Sequence, residues 1–269
     1  MKYALILTLR AVLPLTPPAA AGDPSAEPVS AAARKLPQGL VSARFLPGWT
    51  DAEGRRIAAL ELELEPGWKT YWRSPGEAGL PPHFDWQGSN IGQVHFDWPA
   101  PEVIESGGLR TLGYHEKLVL PFTITPSKPD QPIGISARVT FGLCEDICVP
   151  AELDLIAPPA GDRPDPVIEA ALALTPHQGR ALPACEIGEI EDGMTLTLTL
   201  PEPGAELVVE HGTDPGIWVS SPELSGDGLE ASVDFVAPSG KPFPLDPLDV
   251  LLTQLGEDGA TEYRGCAAG

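Results

Sequence analysis

Positive charge is what this sequence has least of. Only 17 lysines and arginines stand against 38 aspartates and glutamates in 269 residues, a formal charge of −21. So acidic a surface repels phosphate backbones and argues against a nucleic-acid partner. Beyond Leu15 no apolar run approaches the ~20 residues of a membrane-spanning helix. No GxSxG elbow, HExxH helix or phosphate-cradling glycine loop occurs, which leaves hydrolytic enzymes with little support. Aromatic residues make up 6% of the chain and cysteines number four. Against these shortages stand 42% hydrophobic residues, enough for a packed core, with 32 prolines and 28 glycines. That share of turn formers stays below the roughly 25–30% of low-complexity chains. The chain folds, as one large domain or two of about 100–150 residues, and its turn formers point to many short strands.

Lys2 precedes the apolar stretch Tyr3 to Leu15, and Ala19-Ala20-Ala21 offers a cleavage site. Residues 1–21 therefore read as an export signal, although Arg10 interrupts the stretch and a short membrane anchor is the alternative. The expected destination is the periplasm, an oxidising compartment where disulfides persist. Residues 22–38 are rich in Ala, Pro and Ser without periodicity, the composition of a flexible lead-in.

Two β-sandwiches in tandem are expected after it, over residues 39–157 and 158–269. In the first, Ala58, Leu60, Leu62 and Leu64 alternate with Ala59, Glu61, Glu63 and Glu65, the pattern of a half-buried strand. From Trp68 to Trp86 aromatics alternate with turn signals, and these rings serve either as core or as a recognition surface. Prolines around 157–166 mark a linker, and Pro166 to Leu174 suits a short helix. Apolar alternation at 194–200, 206–210, 217–220, 229–236 and 248–255 supplies the strands of the second sandwich.

The segment Ile135 to Ile156, ISARVTFGLCEDICVPAELDLI, carries the most information. Ile135, Ala137, Val139, Phe141 and Leu143 share one parity, and Val149, Ala151, Leu153 and Leu155 form a second apolar set. Two such strands joined by Glu145-Asp146-Ile147 make a hairpin, with Cys144 and Cys148 facing each other across a three-residue loop. In one continuous strand residues four apart are about 13 Å distant, too far for a disulfide, whereas a hairpin tip brings them into range. Parity sets both sulfurs on the polar face, where exchange chemistry is possible. The plain alternative is a local staple, worth only about 2 kcal/mol for so short a loop.

Cys185 and Cys266 lie 81 positions apart in the second unit. A bond between them would close a loop worth about 4.5 kcal/mol in the chain-entropy account, as a structural bridge does. Four cysteines allow three pairings; the other two require bonds across the proline-rich boundary.

The motifs TYWRSPGEAGLPPHFDW (Thr70 to Trp86), WPAPE (Trp98 to Glu102), LGY (Leu112 to Tyr114) and CEDICVP (Cys144 to Pro150) together resemble the periplasmic N-terminal domain of the DsbD thiol:disulfide interchange family. The two-subdomain form found in ScsB-type proteins is the nearest match in organisation. The resemblance implies immunoglobulin-like sandwiches and a redox pair that takes electrons from a membrane-embedded reductase and hands them to exported thioredoxin-fold proteins. It makes Cys148 the nucleophile that forms mixed disulfides and Cys144 the resolving thiol, in a protein-disulfide reductase component that needs no cofactor. Tyr71, Trp72 and Tyr114 are candidates for shielding the pair.

Glu145 and Asp146 sit between the cysteines, and nearby negative charge disfavours a thiolate, so a sluggish free thiol is expected. Two rival functions follow from the same residues. Soft thiolates select Cu(I), and CxxxC followed by proline also resembles Sco-type copper proteins; His83, His95, His115, His177 and His211 are the available third ligands, but none adjoins the pair. No metal ligand set is assigned on that basis. The other rival is a binding module in which both disulfides are structural and the Trp-rich segment recognises a ligand.

Overall fold

Period-two patterning runs through the chain from Leu40 onward, and nearly every patterned stretch is a strand. The structure, a computed structural model, describes residues 36–268 apart from 77, 107, 204–205 and 257–258. The expected signal, residues 1–21, and the lead-in as far as residue 35 lie outside the described residues.

The first ten strands are β1 (Leu40–Thr50), β2 (Arg56–Leu64), β3 (Lys69–Gly76), β4 (His83–Trp86) and β5 (Ile91–Phe96), then β6 (Glu102–Ser106), β7 (Leu109–His115), β8 (Lys117–Pro126), β9 (Ser136–Cys144) and β10 (Cys148–Ile156). They form one sheet in the order β1-β2-β8-β5 and another in the order β10-β9-β3-β7-β6, with β4 added on β9. The inner faces share one core, to which Phe45, Leu60 and Phe122 come from the first sheet and Trp72, Val139 and Phe141 from the second. Burying such side chains contributes about 1.5–3 kcal/mol each, which is what holds two sheets face to face.

β2 departs from the half-buried strand that its alternation suggests. Ala59 and Glu61, on the face expected to be wet, are 0% and 2% exposed. The helix α1 (Pro166–Leu172) is the reason for the first: its Ile168 packs with Leu46 and Ala59 on the outside of the sheet. Asp165 starts that helix by accepting the Val167 amide at 2.8 Å, with Pro166 in the first turn. Glu61 is buried as an ion, bonded to Arg44 at 2.6 Å and paired with Lys117 at 3.0 Å.

The proline-rich stretch after β10 is tied down. The buried guanidinium of Arg56 donates to the carbonyls of Pro47 (2.9 Å), Ile133 (2.8 Å) and Pro158 (2.6 Å), and the Gly161 amide donates to Gly48 at 2.8 Å.

The remaining strands are β11 (His177–Gln178), β12 (Ala184–Ile190), β13 (Gly193–Thr199), β14 (Glu206–His211) and β15 (Trp218–Val219), then β16 (Glu223–Leu224), β17 (Glu230–Val236), β18 (Val250–Gly256), β19 (Gly259–Arg264) and β20 (Ala267–Ala268). They again make two sheets, β11-β19-β18-β14 and β15-β17-β13-β12-β20, around a second core containing Leu196, Leu198, Val233, Phe235 and Leu252. Cys185 and Cys266 are bonded inside it, with Cα atoms 5.8 Å apart. The molecule is all-β, with one short α-helix and one 3-10 turn among the described residues.

The other face of the β11-β19-β18-β14 sheet meets the first sandwich. Val208, Leu255 and Ala260 join the first core. Around them three carboxylates meet two arginines: Arg73 of β3 bonds Glu210 at 3.0 Å and Glu262 at 2.9 Å, and Arg110 of β7 pairs with Glu206. Burial pushes the Glu210 carboxyl above its ordinary value, with Arg73 opposing the shift.

Candidate functional site

β9 and β10 pair without a slip from Cys144↔Cys148 to Ser136↔Ile156, leaving Glu145, Asp146 and Ile147 as an exposed three-residue tip. Cys144 and Cys148 are bonded there, with Cα atoms 4.2 Å apart. Their surroundings correct one expectation. Cys148 is exposed, but Cys144 is 2% exposed rather than lying on a wet face.

Parity is right and the covering is what it misses. Near its tip the polar face of the hairpin is roofed by Tyr71 of β3 and by Leu80. Tyr71, itself 1% exposed, places its hydroxyl 2.8 Å from Cys144 Sγ and 3.0 Å from Cys148 Sγ. A disulfide carries no proton, so the phenol is the donor, and burial pushes its ionisation upward. Gly142 makes room for the roof: a Cβ there would lie 2.9 Å from the Tyr71 ring and 3.1 Å from Leu80. Its amide donates to the Leu80 carbonyl at 2.9 Å and its carbonyl accepts from the Thr70 hydroxyl at 2.9 Å. Gly79 has φ +152° and also lies against the Tyr71 ring, a backbone conformation open to glycine.

The Tyr71 hydroxyl touches both sulfurs, but Cys148 is an exposed residue and Cys144 a buried one, so the bond is asymmetric toward attack. A thiolate from another protein can reach Cys148 Sγ, and the Cys144 sulfur is then the leaving group beneath the phenol.

Residues 42–160 match the family described as thiol:disulfide interchange protein DsbD, N-terminal. In fold the chain is similar to the N-terminal periplasmic domain of ScsB from Proteus mirabilis, with a TM-score of 0.61 and 22% identity over 82% of this chain and 92% of that one. The likeness in fold therefore extends past the family segment into the second sandwich. No curated protein sequence matches the chain.

Of the other candidates, Trp72 and Tyr114 lie apart from the sulfurs. Trp72 has the opposite parity to Tyr71 and is fully buried in the core, its indole N–H without an acceptor and the Arg73 guanidinium 4.3 Å from its ring centre. Tyr114 is buried too, but its hydroxyl donates to the Pro99 carbonyl at 2.8 Å, and burial drives its ionisation well above the ordinary value. Glu145 and Asp146 are exposed on the tip. His115 bonds Glu102 at 2.8 Å, and among the described residues no three His, Cys, Asp or Glu side chains converge on one point. Sequence reasoning missed Gly142 and Leu80. A glycine inside a strand pattern is the signal for a close approach, and Gly142 carries it.

Proposed function

We propose that this protein relays electrons from a membrane-embedded thiol reductase to exported thioredoxin-fold proteins through Cys144 and Cys148. The observation that carries this reading is the bond at the hairpin tip between an exposed Cys148 and a buried Cys144, with the Tyr71 hydroxyl against both sulfurs. A donor thiolate attacks Cys148 Sγ; the new S–S bond forms as the Cys144–Cys148 bond breaks, and Cys144 leaves as a thiolate and takes a proton. The donor's second thiolate then attacks its own sulfur in the mixed disulfide, releasing Cys148. Two electrons and two protons now reside on the pair. In the second half, the Cys148 thiolate attacks the acceptor's disulfide and Cys144 resolves the product, restoring the original bond.

Tyr71 shields the oxidised pair and Glu145 and Asp146 hold down the free thiolate, so exchange needs a docked partner. Ile147, 76% exposed between the cysteines, offers that partner an apolar contact. A periplasmic location is supported by the likeness to the ScsB domain and by two disulfides. Among the described residues, no helix is long and apolar enough to cross a membrane. The test is a Cys144→Ala variant exposed to periplasmic thioredoxin-fold proteins. A persistent mixed disulfide at Cys148 is expected; a variant that traps none, although folded, would overturn the relay.

A further inference from the structure

β3 brings a third group to the sulfurs. Lys69 stands directly opposite Cys144 in the β3–β9 register and opposite His115 on the other side. Directly opposed residues in an antiparallel pair point to the same face, with Cβ atoms about 4.5–5.5 Å apart. The same face follows from Tyr71, two residues further along β3, whose hydroxyl touches Cys144 Sγ. Yet Lys69 is only 5% exposed. No carboxylate among the described residues pairs with it, although the chain has 38 to offer.

Cys144 is the sulfur that must leave as an anion from a site closed to water, and burial alone makes that thiolate unfavourable. We propose that Lys69 is the countercharge for the Cys144 thiolate, unpaired while the disulfide is closed and paired once it opens. The inference rests on the exchange reading of the same site, and it assigns the stabilisation of the leaving group to this one ammonium. The other charged or titratable groups around Cys144 are Tyr71 on β3, Glu145 and Asp146 on the tip, and His115 on β7 beyond Lys69, itself held by Glu102. Glu145 and Asp146 oppose a thiolate, and the Tyr71 phenol supplies a hydrogen bond without charge.

The test titrates Cys144 alone, in the full chain with Cys148→Ala and the Cys185–Cys266 bond intact, by ultraviolet thiolate absorbance against pH. Adding Lys69→Met should move the titration upward by at least a unit of pH, so that the thiolate fraction at neutral pH falls about tenfold. Lys69→Arg should hold the titration near that of the parent. With both cysteines present, Lys69→Met should shift the glutathione equilibrium about tenfold toward the disulfide, about 30 mV, at pH above both titration midpoints, where the reduced form is a thiolate. The oxidised protein should meanwhile melt no lower than the parent.

An unchanged titration in the methionine variant overturns the proposal, and so does failure of arginine to restore it. Loss of folding in Lys69→Met would also overturn it, because the ammonium would then be a structural support; Lys69→Gln, similar in length and polar, checks that result. No partner protein enters the titration. A shifted midpoint combined with no trapped partner would sink the relay and leave the countercharge standing.

Discussion

Gly142 is where a single hydrogen atom keeps Cys144 covered. A methyl group in its place would press on the Tyr71 ring and on Leu80, both at distances tighter than ordinary packing. The strand behind is fixed by nine register pairs, so the aromatic side would have to yield. We expect Gly142→Ala to cost about 1–3 kcal/mol through overpacking and to lift the phenol off the sulfurs. Reduction of the Cys144–Cys148 bond by a small thiol should then quicken about tenfold, read by trapping the free thiols over time. An unchanged rate would show that the ring does not limit access.

Among the elements, β2 shows how a buried ion sets acid sensitivity. Burial alone would raise the Glu61 carboxyl, but its bonds to Arg44 and Lys117 outweigh that, and the net shift is downward. A carboxyl lowered in the fold stabilises it above the ordinary value of about 4.3, and that contribution is lost as pH falls through the lowered value. Glu61→Gln should cost about 1–2 kcal/mol at neutral pH, and its stability curve should converge with the parent's in acid, as denaturant titrations across pH would record. The same strand marks the limit of reading from sequence. Its inward face and the β9–β10 register follow from alternation, because period-two patterning is local. What covers its outward face does not, since Ile168 arrives from a helix more than a hundred residues away. The burial of Cys144 was hidden for the same reason: Tyr71 lies 73 positions from it, and parity names a face without naming what lies on it. Lys69 was equally out of sight, since only the pairing of β3 with β9 sets it opposite Cys144.

For the molecule as a whole, the two disulfides differ in kind. Cys185–Cys266 closes a separation of 81 residues within the second core, with both sulfurs buried. Replacing both by alanine should cost about 4.5 kcal/mol, mostly through the freed unfolded chain. Small-thiol reduction of Cys144–Cys148 should stay at the parent rate, measured below the lowered melting point. The contact between sandwiches reaches further. Val208, Leu255 and Ala260 of the second sandwich belong to the first core, and Arg73 reaches from the strand of Tyr71 to Glu210 and Glu262. Melting the distal half would strip an apolar wall from the redox half and leave its arginine without counterions. Heat and denaturant therefore act on a single cooperative body, so that the hairpin keeps its cover up to the temperature at which both halves melt together.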